Sequence, residues 1–274
     1  MKRRHFLGVT AVGAAAELMA RPSSPTARPK DWRPDGVGSI ARIGILTPAF
    51  DPVPESEAWA IAPKGVSIHA ARVRYQRGDA RLFADPSRVD PAVELLSAVT
   101  PASIMYAFMG SSYVLGSAGD TALRTRLERV ASGIPVILAA EAASAALHAV
   151  KARRVAIIHP PWFSEEMNDR GRAYFQDRGF VVVSCARLLP LRDFQEVLPS
   201  EVHRWATTTV PKDAEAVLIA GNGLRAVGVI NALEDTLGKP VLTANQVTFW
   251  RALNLIEKPP RVTQFGRLFR TARQ

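Results

Sequence analysis

Cysteine is nearly absent: the 274 residues contain one, Cys185. One thiol excludes an intramolecular disulfide and any metal site built on several cysteines. Cys185 closes the apolar run Val181-Val182-Val183-Ser184, the setting of a buried structural thiol. Long apolar stretches are missing as well. Beyond the N-terminus nothing approaches the ~18 uninterrupted apolar residues of a membrane span, so no stable membrane span is expected. Blocks of like charge are missing from the body of the chain. The formal net charge is +10, but residues 1–36 carry seven Lys/Arg against Glu17, Asp31 and Asp35, and the remaining excess is scattered. A nucleic-acid footprint clusters on one element, so no nucleic-acid partner is expected. No His/Asp/Glu spacing suits a metal, and there is no complete glycine-rich dinucleotide fingerprint.

What the chain does contain begins with an address. Met1-Lys2-Arg3-Arg4-His5-Phe6-Leu7 followed by the small apolar stretch Gly8 to Ala16 has the charged and apolar regions of a secretory signal. Its Arg-Arg-x-Phe-Leu form resembles a twin-arginine signal. Residues 1–20 are read as that signal, although Leu18 is large for a small-x-small cleavage site; a basic leader that is never cleaved would share these features. Residues 21–40, rich in Pro, Ser, Arg and Gly, read as a linker. A working signal implies a periplasmic or secreted protein exported folded, and a single cysteine suits that compartment.

From Ala41 onward short β-branched runs alternate with helical patterns, the signature of an α/β fold with parallel sheets. Strands are expected at 42–47, 66–70, 103–108, 135–138, 153–158, 180–184, 215–219 and 240–243. Helices are expected at 88–99, 119–131, 141–150, 165–178, 199–209, 224–237 and 245–254. The pattern repeats. Arg42-Ile43-Gly44-Ile45-Leu46-Thr47-Pro48 returns as Arg154-Val155-Ala156-Ile157-Ile158-His159-Pro160, an offset of 112. Gly133-Ile134-Pro135-Val136 returns as Gly238-Lys239-Pro240-Val241 at 105, and Gly110 and Gly221 lie 111 apart. Three markers in one order imply a duplicated unit: two Rossmann-like lobes, 41–150 and 151–274, related by a pseudo-twofold with a cleft between them. Ligands of parallel sheets bind at the loops after the strands, here the turns at 47–51, 109–112, 159–163 and 221–223.

Gly110-Ser111-Ser112 offers two hydroxyls and several backbone N–H groups beyond a strand, a geometry that suits a carboxylate or an oxyanion. Gly221-Asn222-Gly223 adds an amide and a backbone that a ligand can approach closely. With Pro48 in the first turn, these are the candidate substrate-binding residues, and a small carboxylate is the expected ligand. Ordinary tight βα turns share this composition. His159, at a strand end facing the inferred cleft, is the candidate catalytic acid/base, its unperturbed pKa being near ~6.5. A histidine that only caps the strand and packs against Pro160 and Trp162 would read the same way. Tyr106, Tyr113 and His69 are further titratable residues; Tyr106 reads as core and His69 as an ordinary strand end. Phe50, Trp162 and Phe163 follow strand ends and either line an apolar pocket or pack the lobes together. Glu165-Glu166 opens a helix, where acidic residues favour the dipole.

These turns resemble the active-site turns of the aspartate/glutamate racemase superfamily. Phe108-Met109-Gly110-Ser111-Ser112 resembles the Met-Gly-Thr-Ser turn of the arylmalonate decarboxylases. The stretch Gly238 to Gln246 with Phe249-Trp250 is similar to that following the second turn in maleate cis-trans isomerases and in those decarboxylases. The ending Gly266-Arg267-Leu268-Phe269 is also decarboxylase-like. The resemblance implies a cofactor-independent reaction in which Ser111, Ser112 and N–H groups near Asn222 bind a carboxylate and stabilise an enediolate-like intermediate. It also implies a departure. Gly221 stands where the second-turn cysteine is expected, and Phe108-Met109-Gly110 supplies no thiol in the first turn. Thiol-based racemisation and isomerisation are thereby excluded. Three functions follow: a decarboxylase/isomerase-type enzyme without a catalytic cysteine, a non-catalytic periplasmic carboxylate-binding protein that kept the cleft, or a folded relic with a structural or interaction role. Oligomeric state is left open.

Overall fold

The computed structural model describes residues 37–75, 78–188 and 196–271. The expected signal at 1–20, and the linker as far as residue 36, lie outside the described residues. Eight short runs become parallel strands, and all but the edge strands at 66–73 and 181–187 are buried almost throughout, as strands covered on both faces are. The strands β1 (Ala41–Pro48), β2 (Val66–Val73), β3 (Ser103–Tyr106) and β4 (Val136–Leu138) form one sheet in the order β2-β1-β3-β4. A second sheet, in the order β6-β5-β7-β8, holds β5 (Arg154–His159), β6 (Val181–Arg187), β7 (Ala216–Ile219) and β8 (Val241–Thr243). The second order reproduces the first strand for strand, as the repeat spacing predicts. In both sheets the chain moves to opposite sides of the first strand, which creates a crevice beyond the strand C-termini. Register sets the two turns of each lobe level: Leu46 pairs with Tyr106, and Ile158 with Ile219.

The helices are α1 (Val53–Ile61), α2 (Pro86–Ser97), α3 (Met109–Val130), α4 (Ala139–Ala149), α5 (Glu165–Gln176), α6 (Pro199–Thr209), α7 (Ile230–Leu237) and α8 (Ala244–Asn254). Two departures from the sequence reading bear on the site. Helix α1 is not expected from its sequence, because Pro52 and Pro54 suggest a loop. Both prolines lie at the helix start, where a missing N–H costs nothing, and Asp51 Oδ1 accepts the Val53 N–H at 2.9 Å. Helix α3 begins at Met109, ten residues before the expected 119, and is interrupted at Gly116 (φ 68°, ψ −176°). The glycine break hides the first helical turns from a periodicity reading.

The lobes interlock. Helix α8 packs on α4 and reaches α1, β3 and β4, while α4 reaches β8 and α3 packs on α5. Ala139, Ala140, Ala143 and Ala146 of α4 are fully buried, and their short side chains let the helix approach closely. One apolar cluster joins Ile43, Ile45 and Met105 of the first sheet to Ile157, Leu218 and Phe249 of the second half. No helix among the described residues is long and apolar enough to cross a membrane.

Candidate functional site

The turns after β1, β3, β5 and β7 converge on one cavity of about 260 Å³. Its walls include Pro48, Phe50 and Asp51 from the first turn, Phe108, Met109 and Gly110 from the second, Trp162 and Phe163 from the third, and Gly221, Asn222 and Gly223 from the fourth. Five of the sequence-predicted binding residues thus come together: Pro48, Gly110, Gly221, Asn222 and Gly223. One side is aromatic. Tyr75 stacks obliquely on Phe50 (5.5 Å between centroids) and meets Phe108 edge-on (5.2 Å), and Phe83 backs Phe108 at 4.6 Å. Offset and edge contacts of this kind fix ring positions, giving a rigid apolar wall.

The opposite side is polar through backbone and amides. Asn222 Oδ1 accepts the Met109 N–H at 2.9 Å, joining the second and fourth turns across the lobes. Asn222 Nδ2 donates to Asn245 Oδ1 at 2.8 Å. Met109 opens α3, so the N–H groups of Gly110 and Ser111 belong to the first turn, where no intrahelical acceptor exists. Asn222 satisfies the Met109 N–H, and the Phe108 side chain at the N-cap accepts no hydrogen bond from the N–H groups that follow. Amides without internal partners beside a cavity suit an anionic oxygen.

Three expected site residues do not reach the cavity wall. Ser111 Oγ lies 3.0 Å from both Tyr106 Oη and the Phe108 carbonyl oxygen, behind the wall. Ser111 and Ser112 are both fully buried, so their hydroxyls face the protein rather than the cavity. The early start of α3 is the cause: a helical first turn rotates both side chains inward and leaves Met109 and Gly110 as the helix residues at the cavity wall. His159 is also fully buried. Its Nδ1 lies 2.9 Å from Asn168 Oδ1 and its Nε2 3.1 Å from Tyr113 Oη, between α5 and α3. Burial pushes its pKa down to about 4, with the Asn168 contact opposing. A neutral, enclosed imidazole is not positioned to exchange protons with a ligand in the cavity.

Cys185 Sγ stands 3.6 Å from His159 Nδ1 and 3.6 Å from Asn168 Oδ1, superficially a Cys-His-Asn arrangement. The thiol is buried, and burial raises its pKa to about 11, opposite to the shift that makes a nucleophile. It packs; it does not line the cavity. Tyr106 is core, its hydroxyl donating to the Phe83 carbonyl at 2.6 Å. His69 pairs with Ser67 Oγ at 2.9 Å on β2.

Sequence reasoning missed Asp51 and Asn245. Asp51 is 3% exposed and lines the cavity, and its main-chain carbonyl accepts from Arg72 Nη1 at 2.9 Å. Its position inside the expected 47–51 turn is a signal for it, although Pro48 and Phe50 are the residues of that turn with the stronger local character. Asn245, in the first turn of α8, is buried and touches the site only through Asn222; nothing local marks it.

Gly221 and Gly110 differ in the space they leave. Gly221 has φ 91°, and a Cβ there would meet Pro160 Cγ and Cδ at 2.8 Å. A Cβ at Gly110 would meet Phe108 Cε1 at 3.4 Å and Ala80 Cβ at 3.6 Å, ordinary contacts.

Comparison with known proteins gives the family and the fold. The model of a family described as arylmalonate decarboxylase matches residues 48–269. A maleate isomerase of Pseudomonas putida KT2440 is 26% identical over 248 residues, 84% of this chain and 97% of that protein. An arylmalonate decarboxylase of Bordetella bronchiseptica is 26% identical over 164 residues, 58% of this chain and 67% of that protein. The maleate isomerase Iso from Pseudomonas putida S16, solved with maleate as a cysteine-to-alanine variant, superposes with a TM-score of 0.76 at 23% identity. That superposition covers 84% of this chain and 98% of the isomerase.

Proposed function

The chain belongs to the arylmalonate decarboxylase family, and from that membership we propose a cofactor-independent enzyme of decarboxylase or isomerase type. Its substrate is a small carboxylic acid carrying an apolar, preferably aryl, substituent, and its intermediate is enediolate-like. The carrying observation is the single cavity in which backbone amides face an aromatic wall. The substrate carboxylate sits against the N–H group of Gly110 and the Asn222-Gly223 turn. The substituent packs among Phe50, Tyr75, Phe108 and Trp162. Those amides stabilise the oxygen charge that develops when a bond to the neighbouring carbon breaks, and in a site of low polarity such preorganised donors weigh heavily. Asp51 takes the proton-transfer role in place of a thiol: among the described lining residues it is the one carboxyl group.

The test is thermal stabilisation of the full chain by arylmalonates, maleate, aspartate and hydantoins, followed by NMR in D₂O and CO₂ detection. Stabilisation by an arylmalonate with CO₂ release or solvent deuterium at carbon is expected. Asp51→Asn should keep binding and lose turnover by about a hundredfold or more, the usual worth of a positioned acid or base. Binding without chemical change would establish the carboxylate-binding protein instead, a reading favoured by the filling of the space beside Gly221 by Pro160. No stabilisation by any acid would overturn both. Export by the leader at residues 1–20 belongs to the same proposal; cell fractionation should find the protein outside the inner membrane, shortened at its N-terminus.

A further inference from the structure

Glu57 on α1 is a partly buried titratable carboxylate that the proposed reaction does not use. Its Oε1 accepts the N–H groups of Ala226 (2.7 Å) and Val227 (2.8 Å), and its Oε2 accepts Asn245 Nδ2 (2.7 Å). Asn245 Nδ2 also donates to the Asn222 carbonyl at 2.8 Å, and Asn245 Oδ1 accepts from Asn222 Nδ2 at 2.8 Å. Asn222 Oδ1 in turn accepts the Met109 N–H. One carboxylate from the first half therefore grips both ends of the segment 222–227 in the second. Through Asn222 the chain of bonds returns to the first half at Met109, and both of those residues line the cavity.

We infer that Glu57 is a positioning residue: its ionised carboxylate holds the Asn222 turn and the Met109 amide in the geometry the cavity presents to an anionic ligand, and protonation releases that wall. The inference rests on reading the cavity as an anion site. The chemistry of the donor set requires ionisation. The three groups facing the carboxylate are all N–H donors, so a protonated Glu57 would present an O–H where only donors wait. Burial pushes its pKa up to about 7 against those three hydrogen bonds, with nearby Asp51 adding to the rise, so the change falls at neutral pH. Of the other charged groups nearby, Glu55 on α1 is paired with Arg72 at 2.6 Å, and Arg225 shares with Glu57 the open groove on the outer side of α1.

Global stability moves in the opposite sense. A carboxyl whose pKa is raised on folding contributes stability below its unfolded pKa, and that contribution is lost as pH rises through about 7. Order at Met109 should instead increase as pH rises through the same range.

The experiment is NMR-detected amide exchange on the full chain from acidic to mildly alkaline pH, corrected for intrinsic rates, with the Glu57 carboxyl carbon followed in parallel. Protection at Met109, Ala226 and Val227 should fall about tenfold as Glu57 protonates, the size of one lost charge-assisted hydrogen bond. Glu57→Gln should show the low value at every pH, with no step. Affinity for phenylmalonate should follow the same midpoint in the unaltered protein and be flat with pH in the variant. Identical Met109 protection in both proteins, or no step while the Glu57 carboxyl titrates, overturns the inference. Should Glu57→Gln not fold, the titration of the unaltered protein decides alone. Phenylmalonate failing to bind at any pH overturns the cavity reading, while amide exchange still decides the role of Glu57.

Discussion

Gly221→Cys is expected to destabilise the protein by about 2–5 kcal/mol, the sum of a left-handed backbone imposed on a side chain and an overpacked contact. Both terms come from one place. Gly221 has φ 91°, and Pro160 Cγ and Cδ occupy the position 2.8 Å from where a Cβ would be. Proline is closed into a ring and cannot swing aside, so the backbone must give. Gly221→Ala should carry most of the cost, since it adds the Cβ alone, and Pro160→Ala in the Gly221→Cys background should recover the overpacking part. Gly110→Cys should stay within about 1 kcal/mol of the parent, because its Cβ meets only ordinary contacts and a helix prefers almost any residue to glycine. Its thiol should be alkylated by iodoacetamide from the cavity. Denaturant titrations of the four variants with mass-spectrometric alkylation decide the matter. A Gly221→Cys protein as stable as the parent would show that the fourth turn is free to accept a thiol and that the missing cysteine is a point change rather than a repacked wall.

His159→Ala should cost about 3 kcal/mol at pH 8, from a vacated buried ring and from its lost hydrogen bonds to Asn168 and Tyr113. The cost should shrink with acid. The unfolded chain protonates this histidine near ~6.5 whereas the folded protein resists until about pH 4. The contribution of His159 is therefore fully present above ~6.5 and lost as pH falls toward 4, roughly 3 kcal/mol over that span. Glu57, pushed to about 7 by burial, and Asp120, pushed to about 6 by burial, act in the opposite sense, losing stability as pH rises. The unaltered protein should therefore show a flattened profile, and the difference from His159→Ala isolates the imidazole. Folded His159→Ala should retain turnover within about tenfold, below the hundredfold typical of a lost acid or base. A gap that does not change with pH would mean the ring is solvated. Turnover lost a hundredfold in folded protein would return His159 to the reaction.

The α/β plan, the repeat and the convergence of the turns at 47–51, 109–112, 159–163 and 221–223 are legible in the chain. They depend on local period and on repeated strand ends such as Arg42–Pro48 and Arg154–Pro160, and parallel sheets place strand C-termini on one side whatever the side chains are. Gly221-Asn222-Gly223 is legible for the same reason. Side-chain direction is not. Ser111 and Ser112 look like ligand hydroxyls on a loop, yet a helix that starts at Met109 turns them into the protein. His159 looks exposed after its strand, yet Gly171 on α5 leaves the room its ring fills; a Cβ at Gly171 would lie 2.5 Å from His159 Cε1. That contact joins residues twelve apart on different elements, and no local pattern announces it.

The sequence alone thus determined the architecture, the place of the cavity and the lack of any thiol in its two glycine turns. Each follows from periodicity, glycine and composition, which act over a few residues. Only the tertiary structure decided which groups face that cavity. Asp51 and the second turn reach it, His159 and both serine hydroxyls do not, and Glu57 is bonded to its wall through Asn245, 188 residues further on. These outcomes depend on how two interlocked lobes close on one another. The distances that settle hydrogen bonding and burial exist only after the chain has brought both lobes together.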